Sequence, residues 1–306
     1  MIGFLAKRLL WMALTLWVVF TVSFFLMRAV PGGPFSEERK IDPYALEVFE
    51  ARYNLDEPLP VQYWLELKRT VWHGDLGLSI RKVDYTVAEI IAEGLPISAT
   101  LGIVAMAFAL TLGITAGVVS SVRRGTVLDF SLMTVATVGI ALPNFVVAGI
   151  AIVLVVFIWP IFPAAGWGGV QHVILPAFCL GAPYAAYIAR LVRTGMLDVL
   201  GQDYIRTAYA KGLMPRRVIM RHAMKGAMLP VASFLGPAVA GILTGSLIIE
   251  QIFAIPGLAY NFVQAAVQRD YTVAMGLVLT YTTLLYTMNL LVDISYSYLD
   301  PRVKLE

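Results

Sequence analysis

Ionisable and nucleophilic side chains are scarce in the long apolar stretches of this sequence. Glu250 and Asp293 lie at the ends of two such stretches, and His172 and Cys179 belong to a third. Paired carboxylates at membrane depth would support aspartyl proteolysis or proton coupling. The distribution of charge places Glu250 and Asp293 on opposite faces of a membrane, so they cannot act as a pair. An intramembrane protease and a proton-coupled carrier are therefore disfavoured.

Motifs of the common catalytic sites are missing from the sequence. It has no Gly-x-x-x-x-Gly-Lys-[Ser/Thr] phosphate loop, no His-Glu-x-x-His zinc helix and no Gly-x-Ser-x-Gly nucleophile elbow. Three histidines and one cysteine cannot build a structural zinc site without carboxylate help, and one cysteine cannot form an internal disulfide. The sequence thus predicts no catalytic residue, no metal site and no directly bound cofactor.

Composition identifies the class of protein. Of the 306 residues, 59% are hydrophobic and 14% are charged, and the mean hydropathy is +0.77. Soluble domains average about 45–50% apolar and about 25% charged residues, so a soluble globular protein is excluded. Disorder, collagen and coiled coil are excluded on the same figures. A net charge of +3 is too small to indicate nucleic acid as a partner. An integral membrane protein is predicted.

Uncharged stretches define the membrane spans. The longest stretch without Asp, Glu, Lys or Arg is Phe130–Ala189, which is too long for one helix because a bilayer core needs about 20 apolar residues. Prolines and glycines between Trp159 and His172 divide it into two. Six transmembrane helices are therefore predicted in an all-α polytopic fold, at roughly 9–30, 96–121, 129–159, 172–193, 227–250 and 272–297.

Basic residues orient these helices, because lysine and arginine resist translocation and accumulate in cytoplasmic loops. Most of them fall on one predicted side, at Lys7, Arg8, Arg123, Arg124, Arg302, Lys304 and throughout the loop 190–225. Acidic residues instead outnumber basic ones in the segment 31–95. Both termini are therefore expected in the cytoplasm.

This topology divides the chain into segments with different surroundings. Residues 1–30 form the N-terminal segment and the first helix, and residues 31–95 form an extracytoplasmic insertion. Residues 96–297 form a five-helix core that contains a cytoplasmic loop at 194–225. Residues 298–306 form a cytoplasmic tail. The insertion has short helical patterns around Pro43–Tyr53 and Pro60–Trp72. It serves either as a cap over the first helix or as a docking surface for an extracytoplasmic partner.

Small residues and prolines inside the spans indicate how the helices pack. Gly113-x-x-x-Gly117 and Gly241-x-x-x-Gly245 would let helix backbones approach closely. Prolines within or near the spans interrupt backbone hydrogen bonding, which survives at membrane depth only against protein or a water-filled cavity. These prolines are Pro143, Pro176, Pro183, Pro230 and Pro237.

The basic loop 190–225 contains a short helical pattern over 203–211. Asp203 can accept hydrogen bonds from the first turn, Lys211 suits the negative end of the helix dipole, and Gly212 can take the left-handed conformation that ends a helix. The side chains predicted to share one face are Tyr204, Thr207, Ala208 and Lys211. Such a helix docks into a groove of a partner protein or lies on anionic lipid.

Several motifs together resemble one family over essentially the whole chain. They are Ala208-x-x-x-Gly212 followed by Arg221-His222-Ala223, the stretches Met27–Pro34 and Ile249–Leu258, and Leu299-Asp300-Pro301-Arg302. The chain resembles the permeases of ABC importers, in the dipeptide and oligopeptide branch. The general importer signature has Glu-Ala-Ala where this chain has Arg206-Thr207-Ala208, so its acidic first position is not carried over.

The resemblance implies the type I ABC importer permease fold in the bacterial cytoplasmic (inner) membrane. It implies, as partners, a second homologous permease subunit, two cytoplasmic ATPase subunits that bind ATP and Mg, an extracytoplasmic substrate-binding protein and membrane lipid. The ATPase-coupling helix implied by the motif comprises Asp203, Tyr204, Arg206, Thr207, Ala208, Tyr209, Ala210, Lys211, Gly212 and Leu213. At the periplasmic mouth it implies a gate at Glu250, Pro256 and Gly257, with a surface turn as the alternative.

The expected function is to form half of the translocation pathway of an ATP-driven, binding-protein-dependent importer of oligopeptides. The permease itself is expected to catalyse no reaction. Dipeptides, nickel complexes, haem and oligosaccharides are alternative substrates within the same family. A stand-alone carrier or channel and a scaffold subunit are the alternatives outside it. The capped cytoplasmic helix and the proline-broken spans favour the permease over both.

Overall fold

A computed structural model describes residues 2–30, 43–82, 84–243 and 247–299. Within these ranges the regular secondary structure is helical, apart from one isolated β-bridge between Leu78 and Thr86, so the all-α prediction is confirmed there. Several predictions fall outside the described residues. They concern the motif at 31–34, the second glycine of Gly241-x-x-x-Gly245, and the tail beyond residue 299 with its Asp300-Pro301-Arg302 motif.

Within the described ranges, four helices are long and apolar enough to cross a membrane. They are α1 (Ile2–Ala29), α4 (Val87–Val122), α7 (Val170–Leu200) and α14 (Tyr271–Leu299). Helix α4 begins well before the predicted residue 96, and α7 continues well past the predicted residue 193. Uncharged stretches underestimate these helices, because a helix can continue beyond the apolar core with charged side chains on its last turns.

Two further predicted spans are bent helix pairs. In the first pair, α5 (Val127–Ala141) meets α6 (Asn144–Ile152), which continues as a π-helical turn (Val153–Ile158), and the bend is 111°. Pro143 lies at the junction and lacks an N–H, and the preceding Leu142 is extended with ψ 128°. A bend this sharp makes the segment a broken span or a re-entrant loop, and the break sits at one of the prolines noted in the sequence.

The second bent pair follows the basic loop and bends by 55°. Its first arm consists of α9 (Pro215–Arg217), a π-helical turn (Val218–Ala223) and α10 (Met224–Ala227), and its second arm is α11 (Leu229–Leu243). Counted as one span each, the two pairs bring the candidate spans to six by length and composition, the number predicted.

Five shorter helices complete the described chain: α2 (Pro43–Arg52), α3 (Leu59–His73), α8 (Asp203–Ala210), α12 (Leu247–Ile252) and α13 (Leu258–Val267). Helices α2 and α3 coincide with the two patterns predicted in the insertion. Left-handed residues follow several of these helices, among them Gly74 after α3 and Gly212 after α8, with φ of 61° and 77°. Glycine takes this conformation without the clash that a Cβ atom would cause.

The chain divides into two compact units. The first contains the described residues of 2–97 and 256–287. In it, Phe20 and Phe24 of α1 pack against Leu279 of α14 and Tyr63 of α3. The Tyr63 hydroxyl also lies 2.9 Å from the Thr21 hydroxyl as a hydrogen-bond partner. Helix α3 of the insertion thus packs on the first helix, which is the contact that the cap interpretation predicts.

The second unit contains the described residues of 98–255 and 288–299. Helices α4 and α7 approach closely in it, because a Cβ atom added to Gly113 would lie 2.6 Å from the carbonyl oxygen of Ala185. A Cβ atom on Gly117 would likewise lie 2.6 Å from the carbonyl oxygen of Ala189. Only glycine fits at these two positions without a backbone shift. The packing predicted from Gly113-x-x-x-Gly117 is confirmed.

Candidate functional site

The N-terminal end of α8 lies directly after α7. Helix α7 ends at Leu200, and Gln202 occupies the N-cap position of α8 without a side-chain capping bond. Asp203 is the first helical residue, and its Oδ1 accepts a hydrogen bond from Arg206 Nη1 at 3.4 Å. The expected capping by Asp203 is therefore wrong, because the helix starts one residue earlier than that role requires. Its negative charge still lies in the first turn, where the helix dipole favours it.

The C-terminal end of α8 is a complete Schellman motif. Gly212 has φ 77°, its N–H donates to the Tyr209 carbonyl at 2.9 Å, and the Leu213 N–H donates to the Ala208 carbonyl at 3.3 Å. Lys211 holds the C-cap position beside the negative end of the dipole. The predicted stop at Gly212 is confirmed, and α8 is closed at a defined residue.

One face of α8 is anchored in the chain itself. Ile205 and Ala208 are only 1% and 7% exposed and pack in one hydrophobic cluster with Met196 of α7 and Val218 and Ala223 of the π-helical turn. Full burial of a side chain of this kind contributes about 1.5–3 kcal/mol. The prediction that Tyr204, Thr207, Ala208 and Lys211 form one exposed face is therefore wrong for Ala208. Its side chain is buried because α8 packs against its own chain through that side.

The opposite face of α8 is open. Tyr204 and Tyr209, five positions apart, lie between this open face and the buried one, on opposite sides of the helix, and are 50% and 42% exposed. The other exposed residues of the predicted coupling set are Asp203, Arg206, Thr207, Ala210, Lys211 and Gly212, and Leu213 is half-buried. Tyrosine and arginine are enriched at protein–protein interfaces, and this exposed surface contains both.

An ion pair that the sequence did not predict lies on α7, two turns before α8. The guanidinium of Arg193 donates from Nε to Asp129 Oδ1 at 2.8 Å and from Nη2 to Asp129 Oδ2 at 2.9 Å. Asp129, 5% exposed, also accepts from Ser120 Oγ at 2.5 Å and from the Gly125 N–H at 3.0 Å. These bonds fasten the turn between α4 and α5 to α7.

The ion pair and α8 belong to one continuous set of contacts. Arg193 lies between Val192 and Met196, which are both fully buried in the cluster that holds Ile205. Sequence reasoning treated Arg193 as one more loop charge. The signal that could have found the pair is Asp129 itself, a single acidic residue at the edge of an apolar stretch and next to a basic turn.

The predicted gate residues have different surroundings. Glu250 on α12 is fully buried and accepts a hydrogen bond from Ser98 Oγ on α4 at 2.8 Å. Pro256 is exposed, and Gly257 is the N-cap of α13, where its carbonyl accepts from the Asn261 N–H at 3.1 Å. Glu250 belongs to the second unit, and Pro256 and Gly257 belong to the first. Pro256 and Gly257 lead into a helix that the sequence analysis did not predict.

The other residues with potential chemistry have structural surroundings. His172 lies in the first turn of α7, where its Nδ1 accepts from the Gly169 N–H at 3.4 Å. Cys179 is buried with a free thiol. Among the described residues, no group of three or more His, Cys, Asp or Glu side chains is arranged to hold a metal ion.

Two family models match the sequence and together span it. "Binding-protein-dependent transport system inner membrane component" matches residues 91–305, and the corresponding N-terminal model of transport-system membrane components matches residues 1–101.

Similar proteins match over the full length. The dipeptide transport system permease protein DppB of Bacillus subtilis is 44% identical over 305 residues, which cover 100% of this chain and 99% of that protein. The oligopeptide transport system permease protein OppB of Escherichia coli K12 is 40% identical over 306 residues, which cover 99% of this chain and 100% of that protein. OppB of Haemophilus influenzae is 42% identical over 306 residues, with the same coverage.

A solved structure has a related fold. A chain of the MetNI methionine ABC transporter, in an inward-facing conformation, superposes with a TM-score of 0.51 at 16% sequence identity. The match covers 68% of this chain and 96% of that one. The likeness establishes a shared fold.

Proposed function

The chain belongs to the family of binding-protein-dependent transport system inner membrane components, and from this premise we propose that it is a permease subunit of an ATP-driven peptide importer. It forms half of the translocation pathway, and a second homologous permease forms the other half. Two cytoplasmic ATPase subunits bind ATP and Mg and supply the energy. An extracytoplasmic binding protein delivers the substrate, and both termini of the permease lie in the cytoplasm.

The anchored helix α8 is the observation that carries this proposal. It exposes Tyr204 and Tyr209 on the two sides of the face by which Ile205 and Ala208 hold it against the chain. A helix fixed in this way transmits a displacement, whereas a mobile loop would absorb it. The open face therefore docks into a groove of an ATPase subunit, and the closure of the ATPases on ATP moves the helix.

Movement of α8 reaches the spans through α7. The cluster around Ile205 includes Met196, and the Arg193–Asp129 pair joins the next turn of α7 to the turn between α4 and α5. A push on α8 thus displaces α7 and the α4–α5 turn together. The result is rocking of the spans between inward-open and outward-open states.

Oligopeptides are the proposed substrate class. Full-length relatives at 40% and 42% identity are named oligopeptide permeases. Dipeptides are the second candidate, because the Bacillus subtilis relative at 44% identity is named a dipeptide permease. Selection between the two lengths rests largely on the separate binding protein.

Purification of the tagged chain in mild detergent, followed by mass spectrometry and reconstituted uptake, tests the proposal. We expect a second permease and two ATPases to remain bound, and the reconstituted complex to take up a labelled tripeptide only with ATP and binding protein. A labelled dipeptide in the same assay decides between the two substrate classes. Recovery of a folded, stable chain alone, with ATP-independent uptake, would replace the importer with a stand-alone carrier.

A further inference from the structure

A partly enclosed polar cavity of about 190 Å³ lies within the first unit. It is bounded by the C-terminal ends of α1 and α2, by α3 and by the start of α14. Its polar lining includes Arg28, Tyr53, Gln62, Glu66, Arg69 and Thr272. Since one water occupies about 30 Å³ in the liquid, the cavity holds a few waters or one small organic molecule.

Arg28 enters this cavity with one donor unused. Its side chain is 10% exposed, its Nε donates to Gln62 Oε1 at 2.9 Å, and its Nη2 donates to Glu66 Oε2 at 3.0 Å. The guanidinium also lies 3.7 Å from the centre of the Phe24 ring, which fixes its plane. Within the described part of the chain, the buried Nη1 has no hydrogen-bond partner.

Arg69 brings a second unused donor to the same lining. Its Nε is buried and has no hydrogen-bond partner among the described residues. Gly77, with φ 91°, makes room for this side chain, because a Cβ atom there would lie 2.6 Å from Arg69 Nη2. The guanidinium therefore lies directly against the backbone of Gly77, whose positive φ favours glycine.

The described lining has an excess of positive charge, since it contains two arginines and a single carboxylate, Glu66. Glu66 is already bonded to Arg28 through Oε2. Buried cationic donors without partners are costly, and a carboxylate is the group whose geometry suits guanidinium donors best. We propose that this cavity is a binding site for a small carboxylate anion, recognised by the unused donors of Arg28 and Arg69.

Two sources share this chemistry: a free monocarboxylate and the terminal carboxylate of a short peptide. The proposal does not depend on transport, because the cavity is formed within the first unit alone. Its test is therefore a binding measurement on the resting protein.

The full chain, in nanodiscs with its copurified subunits, is titrated with ¹³C-acetate and followed by saturation-transfer NMR. We expect saturable binding of acetate and none of acetamide, its neutral isostere. If Gly-Gly displaces the bound acetate, the site also accepts the terminal carboxylate of a short peptide. If it does not, the site accepts only free monocarboxylates. A cavity filled by water alone gives no saturable acetate signal, and that result overturns the proposal.

Arg69→Gln locates the bound anion, and Lys68→Gln, which removes an exposed charge from the same helix, is the matched control. Acetate affinity should fall about tenfold or more in Arg69→Gln, because a charged hydrogen bond is lost, and stay unchanged in Lys68→Gln. Equal affinity in the two variants contradicts the assignment. The titration of the unaltered protein decides the question even where Arg69→Gln does not fold.

Discussion

Arg193 of α7 and Asp129 of α5 form a bidentate ion pair, with 2.8 Å between Nε and Oδ1 and 2.9 Å between Nη2 and Oδ2. The residues are 64 positions apart in the sequence. Their pairing ties the basic turn between α4 and α5 to the helix that leads directly into α8. In the proposed mechanism, this link carries a displacement of α8 through α7 to that turn.

Replacement of Asp129 by Asn should uncouple ATP hydrolysis from uptake. The amide keeps the size of the side chain but leaves Arg193 without a counter-charge, so the bidentate link between the α4–α5 turn and α7 is lost while the apolar contact of Ala136 with Ala186 and Ala189 remains. Peptide uptake per ATP hydrolysed should fall about fivefold or more, the range of a typical coupling energy. The reconstituted complex provides both rates.

Arg190→Gln is the matched control for this variant, because Arg190 is an exposed basic residue on the same helix. It should leave the uptake per ATP unchanged. Arg193→Lys keeps the charge but loses the bidentate geometry, so its uptake per ATP should lie between the values for Asp129→Asn and Arg190→Gln. An unchanged ratio in Asp129→Asn would show that the ion pair does not carry the coupling.

The double variant Tyr204→Ala/Tyr209→Ala should lose ATPase binding and retain its fold. Both rings are about half exposed, so their removal costs less stability than loss of the buried Ile205 would. Loss of central aromatic contacts at an interface costs about 2 kcal/mol or more, which is at least about a tenfold loss of affinity. Copurified ATPase measures the effect. Met220→Ala, an exposed apolar residue in the same basic loop, should retain normal ATPase binding.

Ile205→Ala should loosen α8 without changing its exposed face. Truncation of a fully buried isoleucine costs about 2–5 kcal/mol, and Ile205 is packed among Met196, Val218 and Ala223. Hydrogen exchange of the amides of 203–210 should become faster, and uptake should fall. Ile205→Val, with a cost of about 0.5–1.5 kcal/mol, should give a small change. Exchange rates that are equal in Ile205→Ala and the unaltered protein would refute the anchoring role.

Gly212→Ala should destabilise the end of α8 through the backbone alone. No atom lies within 4 Å of a Cβ added at Gly212, so the cost comes from its φ of 77° and is about 1–2 kcal/mol. Gly212→Asn should cost less, because asparagine tolerates the left-handed conformation. The rate of proteolysis between α8 and α9 should increase from the unaltered protein to Gly212→Asn and then to Gly212→Ala. Equal cleavage of all three variants would rule out the left-handed stop.

Gly117→Ala should destabilise the contact between α4 and α7. The new Cβ atom would lie 2.6 Å from the Ala189 carbonyl oxygen, so the helices must separate, at about 1–3 kcal/mol. Gly149→Ala on α6 has open space and should be neutral or stabilising by about 0.5–1 kcal/mol. Thermal unfolding in detergent compares the two, and similar midpoints for both variants would contradict the close approach.

The features predicted correctly are those written in local or periodic patterns. The apolar stretches, the close approach at Gly113 and Gly117 and the stop at Gly212 each depend on a few neighbouring residues. The interruptions expected at prolines are found at Pro143 and beside Pro230, whereas α7 continues through Pro176 and Pro183 and α11 through Pro237. The N-terminal end of α8 was misplaced because Asp203 is a preferred N-cap residue and Gln202 is not, yet Gln202 takes the N-cap position and Asp203 lies inside the helix.

The remaining features depend on which helices meet. Nothing near Asp129 in the sequence indicates that its partner is Arg193, because α4, α5 and α7 must first pack for the two to meet. The burial of Ala208 depends in the same way on the packing of the π-helical turn (Val218–Ala223) against α8. Burial of Arg28 beside Glu66 and Arg69 follows from the packing of α3 on α1, which the composition of the insertion did not reveal.

Photocrosslinking from position 204 shows whether α8 docks onto an ATPase subunit. A photoreactive phenylalanine derivative replaces Tyr204 in the reconstituted complex. The same derivative at Phe130, an exposed apolar position on α5, reports contact with lipid. Position 204 should crosslink to an ATPase subunit, and position 130 should not. Crosslinking of position 204 to lipid alone, in a complex that retains its ATPases, would make α8 a membrane-surface helix and exclude its role in coupling.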